Sequence, residues 1–261
     1  MRTLQIETLG HGPDLVLLHG WAMHSGVFKA LAERLSARHT VHLVDLPGHG
    51  GSRDSALPLA LEPVVEAVLA HAPQALWAGW SLGGLFALHA AATRPAMVRG
   101  LAMVCASPRF VRGEDWPLGM SPEIFRGFAL GLRGDYRATL ERFIALEAFG
   151  SDDARQEMRM LREEVFSRGE PAAHVLADGL ALLETSDLRA ALPGLSMPSL
   201  WLAGRRDRLV DPRAMRAAAA QAPQAEVVVV EHAGHAPFLT HADEVAAAVA
   251  TLDGRAGAGP R

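Results

Sequence analysis

The stretch Gly79-Trp80-Ser81-Leu82-Gly83 sets a serine between two glycines. A serine hydroxyl becomes a nucleophile when a base takes its proton, an acid orients that base, and N–H donors hold the oxyanion that forms. The flanking residues suit such a role. "ALWAGW" (75–80) reads as a strand and "LGGLFALHAA" (82–91) as a helix. G-x-S-x-G between strand and helix makes a sharp turn that exposes the hydroxyl beside the unpaired N–H groups of the helix start. The pentapeptide alone also fits a serine N-cap beside packing glycines, so the partners must be sought elsewhere.

Twelve histidines compete for the role of base. His235, in "HAGHAPFLTH", follows the last strong strand pattern, where a loop reaches the same sheet edge as Ser81. His232 and His241 are its neighbours and rivals. The acid is expected earlier in the chain. Asp207 in "WLAGRRDRLVDP" follows the penultimate strand. Its rival Asp211 precedes Pro212, the pattern of an N-cap with proline at the first helical position, and needs no chemistry to explain it. One oxyanion donor is expected from the backbone N–H of Leu82. The other is expected from the loop "LLHGWAMHS", at the N–H of Trp21, with His19 and Gly20 shaping that loop. No Cys/His spacing suggests a metal site. "LPGHGGS" (46–52) lacks the Lys-Ser/Thr ending of a phosphate loop.

These side chains need a scaffold. Apolar runs at 14–20, 40–48, 75–80, 98–107, 198–204 and 225–234 alternate with helical patterns at 25–37, 57–71, 82–93, 212–221 and 241–252. The strand runs are apolar on both faces, as in a parallel sheet covered by helices, and the alternation predicts an α/β doubly wound sheet. Between 108 and 190 the rhythm breaks. Amphipathic patterns at 121–133, 135–148, 152–167 and 171–186 predict an inserted helical cap over the strand ends. The expected division is a core of 1–107 and 191–253, a cap of 108–190, and a flexible tail of 254–261.

A chain of 261 residues, 49% hydrophobic, can bury a substantial core. A formal net charge of −4 argues against general nucleic-acid binding. The single cysteine, Cys105, permits no intrachain disulfide. The opening residues lack the pattern of a signal peptide, and "LVLLHGW" is too short to span a bilayer. A monomeric cytoplasmic protein without membrane contact is expected.

The order Ser81, Asp207, His235 and the surrounding motifs resemble the α/β-hydrolase superfamily over nearly the whole chain. A serine at the elbow sets it apart from haloalkane dehalogenases, which carry aspartate there. "LVLLHGW", "HLVDLPGHGGSR", "WAGWSLGGL", "ERFIALEAFG" and "HAPFLTH" resemble, in the same order, the esterases of biotin synthesis that unmask a methyl-protected pimeloyl chain on its acyl-carrier protein. That resemblance implies an α/β-hydrolase fold, a carboxylesterase with no cofactor, and an acyl-carrier protein as partner. It also implies that Phe143, Ile144, Ala145, Leu146 and Glu147 line the substrate channel, although Phe143, Ile144 and Leu146 suit ordinary core as well. Arg142, Arg155 and Arg159 would dock the acidic carrier. Positions 155, 159 and 162 share one helical face, while Met158, Leu161 and Val165 form an apolar stripe beside it. A solvated face with local pairs, such as Arg159 with Glu163, accounts for the same arginines. A broad small-ester hydrolase without a carrier and a non-catalytic ligand receptor are the competing functional readings.

Overall fold

The computed structural model describes residues 4–72 and 74–257. Seven strands form one sheet: β1 (Ile6–Gly10), β2 (Asp14–Leu18), β3 (Thr40–Val44), β4 (Ala75–Trp80), β5 (Val98–Val104), β6 (Ser199–Gly204) and β7 (Ala225–Val230). Their spatial order is β1-β3-β2-β4-β5-β6-β7. Only β1 runs antiparallel to its neighbour; every other pairing is parallel. The helices of the core are α1 (Lys29–Leu35), α2 (Leu61–Leu69) and α3 (Leu82–Thr93). Four more, α4 (Pro122–Gly134), α5 (Tyr136–Ala148), α6 (Ala154–Ser167) and α7 (Ala173–Thr185), lie between β5 and β6. The chain closes with α8 (Pro212–Ala219), the single turn α9 (Pro237–Thr240) and α10 (Ala242–Gly257).

The central strands β4 and β6 are buried at every residue, which explains their unbroken apolar runs. Helices cover both faces. Gly100 of β5 faces Leu252 of α10, while Met103, three residues on, faces Gly84 of α3. Helix α3 is apolar almost all round because the sheet, α2 and the inserted helices enclose it.

The four inserted helices fall close to the boundaries expected from periodicity. Ser121 caps α4 by accepting from the Glu123 N–H, with Pro122 at its first position. Asp135 ends α4 and caps α5 by accepting from the Ala138 N–H at 2.9 Å. Two expectations need correction. Strand β1 has no apolar run, since it is a half-exposed edge strand held by its ladder to β3. Helix α10 continues through Gly257, into the stretch expected to be a loose tail, because Val249 and Leu252 anchor it to the core and Arg255 pairs with Glu226. Residues 258–261 of that tail lie outside the described residues. Among the described residues no helix is long and apolar enough to cross a membrane.

Candidate active site

Ser81 sits at the C-terminal end of β4 with φ 53° and ψ −120°, a conformation few non-glycine residues hold. The sheet enforces it: the Ser81 N–H donates to the Val104 carbonyl of β5 at 3.1 Å. The turn closes only because both flanking glycines lack a Cβ. A Cβ on Gly79 would lie 2.3 Å from the Gly83 carbonyl oxygen, and one on Gly83 would lie 2.2 Å from that of Leu18. Leu82 opens α3, so its N–H has no intrahelical acceptor. The Trp21 N–H, in the turn after β2, likewise has no acceptor among the described residues.

Asp207 lies in the turn after β6 and is buried. Its Oδ1 accepts from the N–H groups of Leu209 (2.8 Å) and Val210 (2.9 Å). Its Oδ2 stands 2.8 Å from Nδ1 of His235. With both acceptor edges of the carboxylate committed, the imidazole must carry its proton on Nδ1, which leaves Nε2 as an acceptor. That Nε2 is buried and has no protein partner. Ser81 Oγ makes no hydrogen bond to it here; the contact between a nucleophile and its base is often loose before substrate binds. The Trp80 indole N–H donates to the His235 carbonyl at 2.8 Å and fixes the His235 loop against the elbow.

The rivals have other occupations. Asp211 caps α8, accepting from the Arg213 N–H at 2.8 Å and pairing with the Arg213 guanidinium. His232 is exposed and binds Asp152 at 2.8 Å; His241 bonds to Thr240 Oγ. His19 is fully buried, bridging the Gly20 carbonyl (2.8 Å) and the Leu46 N–H (2.9 Å). Burial and the nearby His49 hold its pKa down to about 3, so it stays neutral and shapes the loop that carries Trp21.

Ser81 borders an apolar cavity walled by Phe110, Phe125, Phe128 and Phe143, with Leu180 and Leu209. The inserted helices supply much of that wall and therefore lie over the serine. Trp21 ties the layers together: its indole N–H donates to the Leu176 carbonyl of α7 at 2.8 Å, and its ring meets Phe143 edge-on at 4.7 Å. Of the five residues expected along a channel, Phe143 lines the cavity. Ile144 is buried, Leu146 is half-buried, and Ala145 is exposed because it falls on the solvent side of α5. Glu147 is buried, and both its carboxyl oxygens lack a partner. Arg142 is exposed and reaches back to Thr139 Oγ. Arg155 and Arg159 are exposed without an ion-pair partner among the described residues, whereas Arg162 pairs with Glu141. Leu161 and Val165 pack down and Met158 is half-buried.

Cys105 is a neighbour that spacing along the chain did not signal. Its thiol, the Asp207 carboxylate and the His235 ring offer atoms within 4.8 Å of one another. Burial and the charge of Asp207 push that thiol well up, so it remains protonated and packs as a small apolar group.

Residues 13–242 match the family model described as alpha/beta hydrolase fold. The chain is 59% identical, over 246 residues covering 94% of it and 97% of the other protein, to the pimeloyl-[acyl-carrier protein] methyl ester esterase of Xanthomonas campestris pv. campestris (strain B100). It is also 59% identical, over 94% of its length and 95% of the relative's, to the protein of the same name from Stenotrophomonas maltophilia (strain K279a). Among solved structures, the esterase EaEST of Exiguobacterium antarcticum superposes with a TM-score of 0.84 over 96% of this chain and 95% of that one, at 20% identity, a likeness of fold alone. With a strained serine elbow on β4, a buried Asp207–His235 pair at the neighbouring strand ends and this coverage, the chain belongs to the alpha/beta hydrolase fold family.

Proposed function

We propose that the protein is a serine carboxylesterase that hydrolyses the methyl ester of a pimeloyl chain carried on an acyl-carrier protein, releasing methanol and the free carboxylate in biotin synthesis. The observation that carries the reading is 59% identity, over 94% of the chain, to relatives bearing that name. The buried Asp207–His235 pair beside the Ser81 elbow supports its chemistry. Ser81 Oγ attacks the ester carbonyl while His235 Nε2 takes its proton. Asp207 stabilises the imidazolium, and the N–H groups of Leu82 and Trp21 hold the oxyanion. His235 returns the proton to the departing methoxide. Water then attacks the acyl-enzyme with His235 again as base, and Ser81 is regenerated.

The cavity beside Ser81 suits a masked carboxyl. Its wall presents aromatic and aliphatic groups, so a neutral methyl ester enters at little cost, whereas an ionised carboxylate would lose its hydration without a partner. Substrate is thereby favoured over product. The cavity as it stands holds about 20 Å³, the room a single water needs, so a pimeloyl chain enters as the wall over Ser81 gives way. Residues 108–190 form that cap in this reading. The exposed Arg155 and Arg159, with Arg142, offer a cationic face to an acidic carrier. A strain lacking its biotin-pathway esterase tests the whole reading: expression of this chain should restore growth without biotin. Failure of the folded, expressed protein to do so, alongside turnover of simple esters, would favour the carrier-independent hydrolase.

A further inference from the structure

Two carboxyl groups on the cap side of the His235 loop take no part in the steps above. Glu157, in the first turn of α6, is fully buried. Its Oε1 accepts from Ser151 Oγ at 2.6 Å and from Thr240 Oγ at 3.1 Å. Its Oε2 is buried with no partner. Thr240 ends α9, the turn that follows His235. Glu147, at the end of α5, grips the same segment differently: its main-chain carbonyl accepts the His235 N–H at 3.3 Å. Gly234 packs between the two, with a Cβ there falling 3.3 Å from the Glu147 carbonyl oxygen and 3.5 Å from Glu157 Oε2. The cap therefore holds the base-bearing segment at both ends, at His235 and at Thr240.

An ionised Glu157 would leave one oxygen bare in a dry site shared with other acids, which is costly. The groups that face the pair come from every element packed there. Ser151 and Asp153 come from the α5–α6 turn, Cys105 and Asp207 from the ends of β5 and β6, and His235, Thr240 and His241 from the last segment. Burial, with the charge of Asp153, raises Glu157 above the usual carboxylate range, although the two hydroxyl bonds and His241 oppose that rise. Burial, Asp207 and Glu157 push Glu147 well up.

We propose that Glu157 is a positioning residue for His235, its buried carboxyl group tying α6 of the cap to Thr240 at the far end of the base-bearing segment. While the tie is made, the segment is fixed at both ends and the imidazole keeps its place between Asp207 and the serine elbow. When the tie is broken, α6 and Thr240 part, and the imidazole loses that support. Turnover then falls for a reason that lies outside the triad.

The inference rests on the assignment of His235 as the base. Its test uses p-nitrophenyl acetate, a small neutral ester that needs no carrier, with kcat and KM measured separately for wild type, Glu157→Gln, Glu157→Ala and Thr240→Val. The amide of Glu157→Gln keeps an acceptor for both hydroxyls. It should keep kcat near the wild-type value. Glu157→Ala and Thr240→Val each break the tie, one from either side. They should lower kcat by about 10- to 100-fold with KM little changed, the penalty of a slightly misplaced base. If Glu157→Ala does not fold, Thr240→Val carries the same comparison. A Glu157→Gln loss equal to that of Glu157→Ala, or full kcat in Thr240→Val, would overturn the proposal. A wild type that fails to turn over the ester overturns the esterase assignment itself, and this inference with it.

Discussion

Replacing Asp207 by asparagine should inactivate the enzyme through a change of histidine tautomer. The carboxylate is pinned on one side, where Oδ1 accepts from two main-chain N–H groups, those of Leu209 and Val210. An asparagine side chain must place its carbonyl oxygen there, because its NH₂ would meet two donors. The NH₂ is then forced toward His235, 2.8 Å away, where only a carboxylate can accept from Nδ1–H. The imidazole answers by moving its proton to Nε2, the nitrogen that must accept from Ser81. The geometry survives and the base is lost, an arrangement that costs about 10⁴-fold in kcat where a triad acid is neutralised in this way. That factor corresponds to roughly 5.4 kcal/mol of transition-state stabilisation. The loss of stability should be far smaller, on the order of 1–2 kcal/mol for a weakened buried hydrogen-bond set. Turnover of a small ester, paired with a thermal melt, reads both quantities. Asp211→Ala is the control: losing the α8 cap should cost about 1 kcal/mol of stability and leave turnover intact. Asp207→Asn activity within tenfold of wild type, or a larger activity loss in Asp211→Ala, would refute the reasoning.

Ser81→Ala should abolish ester turnover and labelling by a fluorophosphonate probe while leaving the thermal melt nearly unchanged, since the hydroxyl makes no hydrogen bond within the described residues; a folded variant that still turns over would show that another nucleophile acts. Stability should decline on mild acidification. His19 and His49 are buried with pKa values lowered to about 3 and about 4, so between about pH 6.5 and those values the unfolded chain binds more protons than the folded one, and stability is full above that window and falls as pH drops through it. Urea unfolding at about pH 7.5 and about pH 5 measures the difference, and equal midpoints would contradict it. Charge reversal at Arg155 and Arg159 should slow hydrolysis of the carrier-bound ester, with the wild-type rate itself falling as salt rises and the Debye length shrinks from about 10 Å at 0.1 M to about 3 Å at 1 M. A small neutral ester should be unaffected in both comparisons, so equal losses on the two substrates would mark the arginines as structural.

The sequence by itself determined the features whose causes are local. Gly79 and Gly83 flank Ser81 along the chain, and the turn they permit depends on their missing Cβ atoms, so the elbow is legible wherever the strand and helix patterns meet. Asp211-Pro212 carries its own cap, and the amphipathic period of 121–186 marks four helices because each must bury one stripe. Strand β1 escaped because an antiparallel edge strand, half exposed, has no apolar run to announce it. His235 is preferred over His232 and His241 in the sequence for its place after the last strand, but which of the three rings faces Asp207 depends on the tertiary structure, since all three sit within one short segment. Only the sheet order, which sets β4, β5, β6 and β7 side by side, brings residues 81, 207 and 235 to one edge. The same holds for charge. Arg159 and Glu163 have the spacing of a helical pair, yet it is Arg162 that finds a partner, Glu141 on another helix. Glu147 enters the sequence reading only through the resemblance, as a channel-lining residue, and nothing in the sequence marks Glu157. They are buried because α5 and α6 fold back against the His235 loop, a contact between segments some eighty residues apart that no local pattern encodes.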